Sequence, residues 1–233
     1  MKRIAHSAQR TAQLILALDV DTLEKAERLV DLLYPIVKIF KVGSQLFTAY
    51  GPEAVRMIQK KGAKVFLDLK FCDIPNTVAK AVESARGLGV NMLTVHTFGA
   101  SRQMLRATVK AAKGSPLILG VTLLTSLDRE ILREFGIRRL FTNEVIALAR
   151  MAKEEGLDGV VCSPREIQYI RKMFPEEFII VAAGIRPKGY PSDDQSRVAT
   201  AQEAIKAGAD FIVVGRPVLE ARDPLKAIRQ LIE

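Results

Sequence analysis

Eight apolar runs of strand length punctuate the chain, and between them apolar residues recur at three- and four-residue spacing. The runs cover residues 14–20, 36–42, 65–70, 92–97, 117–124, 159–163, 179–185 and 211–215. Short continuous apolar runs bounded by turn residues are the mark of strands buried on both faces. The intervening segments 23–33, 52–61, 78–87 and 102–113 carry the period of amphipathic helices. The longest connection, 125–158, has room for an extra turn or short helix ahead of a helix over 142–155. Strand–helix alternation implies a parallel sheet with right-handed crossovers. Eight such units predict an α/β chain closed into a (β/α)8 TIM barrel. No linker, low-complexity tract or charge block divides the sequence, so residues 1–233 read as a single barrel domain.

Composition narrows the classes without changing the fold. Hydrophobic residues make up 48% of the chain, enough for a packed core and too many for a disordered one. Two cysteines, Cys72 and Cys162, have neither metal-ligand spacing nor a disulfide framework, which fits a reducing, cytoplasmic setting. The basic start, MKRIAHSAQRTAQ, lacks the apolar centre of a signal peptide, and no apolar run is long enough to span a membrane. Lys and Arg total 35 against 26 Asp and Glu, a formal charge of +9. That excess suits a phosphorylated metabolite or a nucleic acid, but it is spread along helices rather than gathered in a stripe. With aromatics at 6% and no Trp, stacking platforms for single strands are lacking, so nucleic acid is not expected as a partner.

The chemistry concentrates in KVFLDLKFCDIPNT, residues 64–77. A buried strand opens it, and Pro75 stops that strand and can open a helix. Asp68 and Lys70 are two apart and so share a face, while Asp73 lies just past the strand's end. Charged groups at an apolar strand end carry a desolvation cost, so a ligand or a structural ion network must use them.

In a (β/α)8 barrel the C-terminal strand ends build the site. Those ends present Asp19, Lys41, Asp68 with Lys70, His96, Thr125, Cys162-Ser163, Gly184-Ile185-Arg186 and Gly215-Arg216. Taken singly, Asp19 reads equally as a turn or helix cap, His96 as a core histidine, and Cys162 as a small buried apolar residue. Gly215, Arg216 and Pro217 suit an anion at the last strand's end, where barrels commonly hold phosphate. The segment 187–197, with Gly189, Ser192 and Gln195, has the composition of a polar lid.

These pieces resemble the orotidine 5′-phosphate decarboxylase family, of the bacterial type, over essentially the whole chain. The likeness rests on Leu18-Asp19, Lys41-Val42-Gly43, the block from Asp68 to Thr77, Leu124-Thr125-Ser126, Ala183 to Pro187 and Val214 to Pro217. Cys72, where many bacterial members have His, and Ala100, where Gly is frequent, are small departures. The resemblance implies decarboxylation of orotidine 5′-phosphate to UMP in pyrimidine biosynthesis, without metal or organic cofactor, by a homodimer with shared active sites. It implies that Asp19 and Lys41 hold the ribose, and that Asp68, Lys70 and Asp73 form the charged catalytic array. Thr77, with Asp73, would reach the neighbouring subunit's site. Thr125 would touch the pyrimidine, and Arg186, Gln195, Gly215 and Arg216 the phosphate. Two rivals remain: a Mg-dependent sugar-phosphate decarboxylase or aldolase of the same superfamily, and a non-catalytic phosphate- or RNA-binding barrel. The first needs an acidic metal ligand where Lys41 stands, and the second leaves the charged array without a purpose.

Overall fold

A computed structural model describes residues 12–174, 178–190 and 197–232. Its eight strands are β1 (Gln13–Ala17), β2 (Ile39–Gly43), β3 (Lys64–Phe71), β4 (Met92–His96), β5 (Leu117–Val121), β6 (Gly159–Cys162), β7 (Ile179–Ala182) and β8 (Phe211–Val214). Each pairs in parallel with its neighbours, and β8 pairs with β1 to close the barrel. The expected architecture is therefore the observed one.

Between the strands run α1 (Leu23–Leu33), α2 (Ser44–Tyr50), α3 (Pro52–Lys60), α4 (Pro75–Gly87) and α5 (Arg102–Ala112). They are followed by α6 (Arg129–Glu134), α7 (Phe141–Glu154), α8 (Ile167–Met173), α9 (Ala201–Ala207), α10 (Arg216–Leu219) and α11 (Pro224–Ile232). Their starts follow local chemistry. Thr22 accepts the Lys25 N–H at the head of α1, and Asp128 accepts those of Glu130 and Ile131 at α6. Pro75 takes the first turn of α4, where its missing N–H costs nothing. α1 turns Ala26, Leu29, Val30 and Leu33 to the sheet, the three- and four-residue rhythm read from the sequence. The long connection does hold a short extra helix, α6, before α7.

The apolar runs overreach the strands at their C-terminal ends. Leu18, Val20, Leu123 and Ile185 are buried yet lie beyond the last ladder pairs. An apolar run reports burial, whereas a strand ends where its neighbour stops pairing. Near 36–38 the run instead begins inside a turn that follows α1.

Two apolar layers result. Ile15, Ile39, Phe66, Met92, Leu119 and Val181 fill the barrel interior. The alternate positions, among them Leu16, Phe40, Val65, Leu67 and Leu93, pack outward under the helices. The N-terminal mouth is tied by side chains standing just before strands. Asn91 accepts the Val65 N–H at 2.9 Å, Asp158 that of Ile118 at 2.7 Å, and Asp210 that of Ile180 at 2.8 Å. Chemistry is left to the opposite mouth.

Candidate active site

Strand parity builds the site one pleat above the interior layer. Two residues past Ile39 stands Lys41, two past Phe66 stands Asp68, and two past Met92 stands Thr94. These three are buried polar groups on adjacent strands, so each needs a partner nearby. They find one another. Lys41 Nζ lies 3.0 Å from Asp19 Oδ1 and 3.4 Å from Asp68 Oδ2. Lys70 Nζ lies 2.8 Å from the same Asp68 oxygen. Asp68 Oδ1 accepts the Thr94 hydroxyl at 2.9 Å.

Burial works against both charges in this row. It would push the Asp68 carboxyl up, but Lys41, Lys70 and the hydrogen bonds from Lys70 and Thr94 hold it below the ordinary carboxylate value. Burial would likewise depress Lys41, yet Asp68 and Asp19 raise it above the ordinary lysine value. Asp68 is thus held as the carboxylate and Lys41 as the ammonium, at the centre of the row Asp19–Lys41–Asp68–Lys70. Gly43 makes room for it: a Cβ there would stand 3.0 Å from Lys41 Nζ and 3.1 Å from Asp19 Oδ1.

Lys70 does not reach Asp68 as a regular strand residue would. Its φ is 51°, in the left-handed region that non-glycine residues avoid. The β3–β4 ladder slips there, with Leu67 opposite Leu93 but Phe71 opposite Val95. Such a backbone costs on the order of 1–3 kcal/mol and concentrates at functional sites.

The row forms one wall of a cavity of about 680 Å3 at the C-terminal mouth. Asp19, Lys41, Asp68, Lys70, Thr125, Arg186, Gly215 and Arg216 all line it. Arg186 is buried and donates to its neighbouring Ile185 carbonyl at 2.9 Å, with Tyr190 near its guanidinium. At Gly215 a Cβ would come no closer than 3.5 Å to the protein, at Ala17 Cβ, so its lack of a side chain serves whatever enters the cavity. Arg186 and Arg216, just beyond β7 and β8, bring two guanidinium groups to the cavity lining.

Other expected residues stand elsewhere. Asp73 and Thr77 are exposed and do not line the cavity; Asp73 Oδ1 accepts the Ile74 N–H at 2.6 Å and makes no ion pair among the described residues. Beside it Ile74 is 67% exposed, unusual for a large apolar side chain. Gln195 lies outside the described residues, as do its neighbours in 191–196. His96 is half-buried; burial first, and the Lys70 charge next, depress it below the ordinary histidine value. Cys162 lines the cavity but is buried, which pushes its thiol up and leaves it inert, as its apolar reading implied.

Sequence reasoning passed over Thr94 and Glu220. Thr94 was legible as a polar residue at an inward parity position. Glu220 follows α10, lines the cavity and accepts the Tyr190 hydroxyl at 2.8 Å, and no local signal marks it. The buried pair of Arg197 and Glu166 was also missed.

The chain is similar to known proteins over nearly its whole length. A family model described as Orotidine 5'-phosphate decarboxylase / HUMPS family matches residues 12–231. The orotidine 5'-phosphate decarboxylase of Moorella thermoacetica is 49% identical over 228 residues, covering 94% of this chain and 90% of its own. That of Saccharophagus degradans is 48% identical over 221 residues, covering 94% and 93%. A crystal structure of orotidine 5'-phosphate decarboxylase from Lactobacillus acidophilus superposes with a TM-score of 0.82 at 34% identity, over 94% of this chain and 97% of that one.

Proposed function

The chain belongs to the orotidine 5′-phosphate decarboxylase / HUMPS family, and from that premise we propose that it converts orotidine 5′-phosphate to UMP and CO2, as a carboxy-lyase of pyrimidine biosynthesis. The observation that carries the reading is the paired row Asp19–Lys41–Asp68–Lys70 lining a cavity that Arg186 and Arg216 also line. A nucleotide placed there has its phosphate at Arg186, Gly215 and Arg216, with Gln195 assigned to the same group by family likeness. Its ribose hydroxyls meet Asp19 and Lys41, and its pyrimidine reaches Thr125 and Lys70.

The chemistry follows from charge. The bond from C6 to the carboxylate breaks, its electron pair stays on C6, and CO2 departs. The Lys70 ammonium stabilises that developing carbanion without reorganising, because Asp68 already holds it in place. Lys70 then gives a proton to C6, which yields UMP, and regains one from water. Asp68 also faces the substrate carboxylate, so loss of CO2 relieves repulsion. Phosphate contacts far from C6 supply binding energy that aligns the reacting end.

This reaction needs no metal, and Lys41 argues for that version of the family's chemistry. A cation-binding relative needs an acid at the end of β2, where this chain places an ammonium already paired to two carboxylates. Purified protein in EDTA is expected to deplete orotidine 5′-phosphate absorbance rapidly, with UMP and CO2 as products. Activity that appears only when Mg2+ is restored would overturn the metal-free reading.

The active form in this proposal is a cytoplasmic homodimer. Asp73 is exposed, makes no ion pair with Lys70 of its own chain and stands beside the exposed Ile74, as expected of a residue that completes a partner's site across an apolar contact. Thr77 would accompany it. Mixing inactive Lys70→Ala and Asp73→Ala proteins then restores activity, because one site of each hybrid holds both groups. Random exchange yields about a quarter of the wild-type sites. No recovery after verified subunit exchange would place Asp73 outside the shared site.

A further inference from the structure

The hydroxyl of Thr94 touches both halves of the charged row's reacting end. It is fully buried on β4, donates to Asp68 Oδ1 at 2.9 Å, and accepts the Lys70 backbone N–H, also at 2.9 Å. Where the β3–β4 ladder slips between Leu67 and Phe71, Lys70 in its left-handed conformation has no β4 carbonyl for its N–H. A buried donor without an acceptor opposes that conformation. Thr94 supplies the acceptor from a side chain, and its own proton goes to the carboxylate that holds the Lys70 ammonium. One hydroxyl thus fastens the backbone and the charge partner of the same lysine.

We infer that Thr94 is a positioning residue, locking Asp68 and the left-handed Lys70 into one unit that aims the ammonium at the reacting carbon. The inference rests on the decarboxylase reading for its consequence, but its geometry stands apart from any substrate. Threonine suits this position because its branched side chain fits a strand and its hydroxyl is held in a single direction at the pleat.

Thr94→Val keeps the shape and removes both hydrogen bonds, whereas Thr94→Ser keeps the hydroxyl and removes only the methyl. For orotidine 5′-phosphate, kcat of Thr94→Val is expected to fall by about 10- to 100-fold, the cost of a misaimed catalytic group. UMP binding, carried by the ribose and phosphate contacts, changes little. Thr94→Ser should recover most of kcat. A second readout needs no turnover: the Asp68 carboxyl, followed by 13C NMR, should titrate at higher pH in Thr94→Val and return in Thr94→Ser. The other charges facing that carboxyl, Lys41 from β2, Lys70 from its own strand and His96 from β4, are the same in all three proteins.

Wild-type kcat in Thr94→Val with an unmoved Asp68 titration overturns the inference. So does a Thr94→Ser protein as impaired as Thr94→Val, since the methyl rather than the hydroxyl would then matter. If the native enzyme fails to decarboxylate orotidine 5′-phosphate while Asp68 titrates as expected across the variants, positioning stands and the substrate reading falls.

Discussion

Lys70→Ala is expected to lose turnover by about 10^4-fold or more while still binding UMP. The magnitude reflects two functions lost together. In the proposed mechanism the ammonium stabilises the carbanion and its proton completes the product, each a contribution of several orders of magnitude in well-built sites. UMP has no carboxylate at C6, and in the proposed reading it is held chiefly through Asp19, Lys41, Arg186 and Arg216, which line the same cavity and which the substitution leaves in place. Alanine also leaves Asp68 paired with Lys41 and hydrogen-bonded by Thr94, so the carboxylate keeps its partners and the fold persists. Steady-state decarboxylation beside UMP titration checks the separation. Retained turnover would sink the assignment of Lys70 as the acid.

The largest expected loss of stability lies outside the reacting groups. Arg197 and Glu166 form a buried pair at 2.9 Å. The same guanidinium donates to the carbonyls of Leu124 at 2.8 Å and Leu123 at 3.3 Å, and lies 3.9 Å from the Phe141 ring centre. It therefore ties the return from the seventh strand's loop to the loop that carries Thr125 and to the turn after β6. Arg197→Met keeps much of the volume but strands a buried carboxylate and two carbonyls, a loss of about 3–5 kcal/mol. Burial already raises the Glu166 carboxyl above its ordinary value, even though Arg197 pulls it down. A raised folded-state value means that this group favours folding below the ordinary carboxylate range, and that the contribution is lost as pH rises through the raised value. Without Arg197 the value rises further. The deficit of Arg197→Met should then be greatest near neutral pH and shrink in acid, measured as the urea-unfolding free energy against pH. A deficit below about 1 kcal/mol, flat with pH, would show that the pair carries no such load.

How much of this could be read without coordinates differs from residue to residue. Lys41 and Asp68 were legible because strand parity is local: a polar residue two places beyond an interior apolar one shares its face wherever the strand lies. The same logic extends to Thr94, which was overlooked only because a threonine in an apolar run is unremarkable. Asp73 was legible as a charge past a strand's end, and only the structure shows that it is exposed and outside the cavity. Glu220 and the Arg197–Glu166 pair offered no signal, since 31 residues separate the partners of that pair.

From the sequence alone came the strand–helix alternation, the closed barrel it implies, the mouth that holds the chemistry and most of the groups lining it. Those follow from periodicity and residue chemistry, which each segment carries by itself. Only the tertiary structure decided where each strand stops, that Lys70 turns left-handed at a slip in the ladder, and that Thr94 holds it there. Such features depend on the neighbouring strand's register, and that register exists only once the barrel has closed and every buried polar group has found its partner across the sheet.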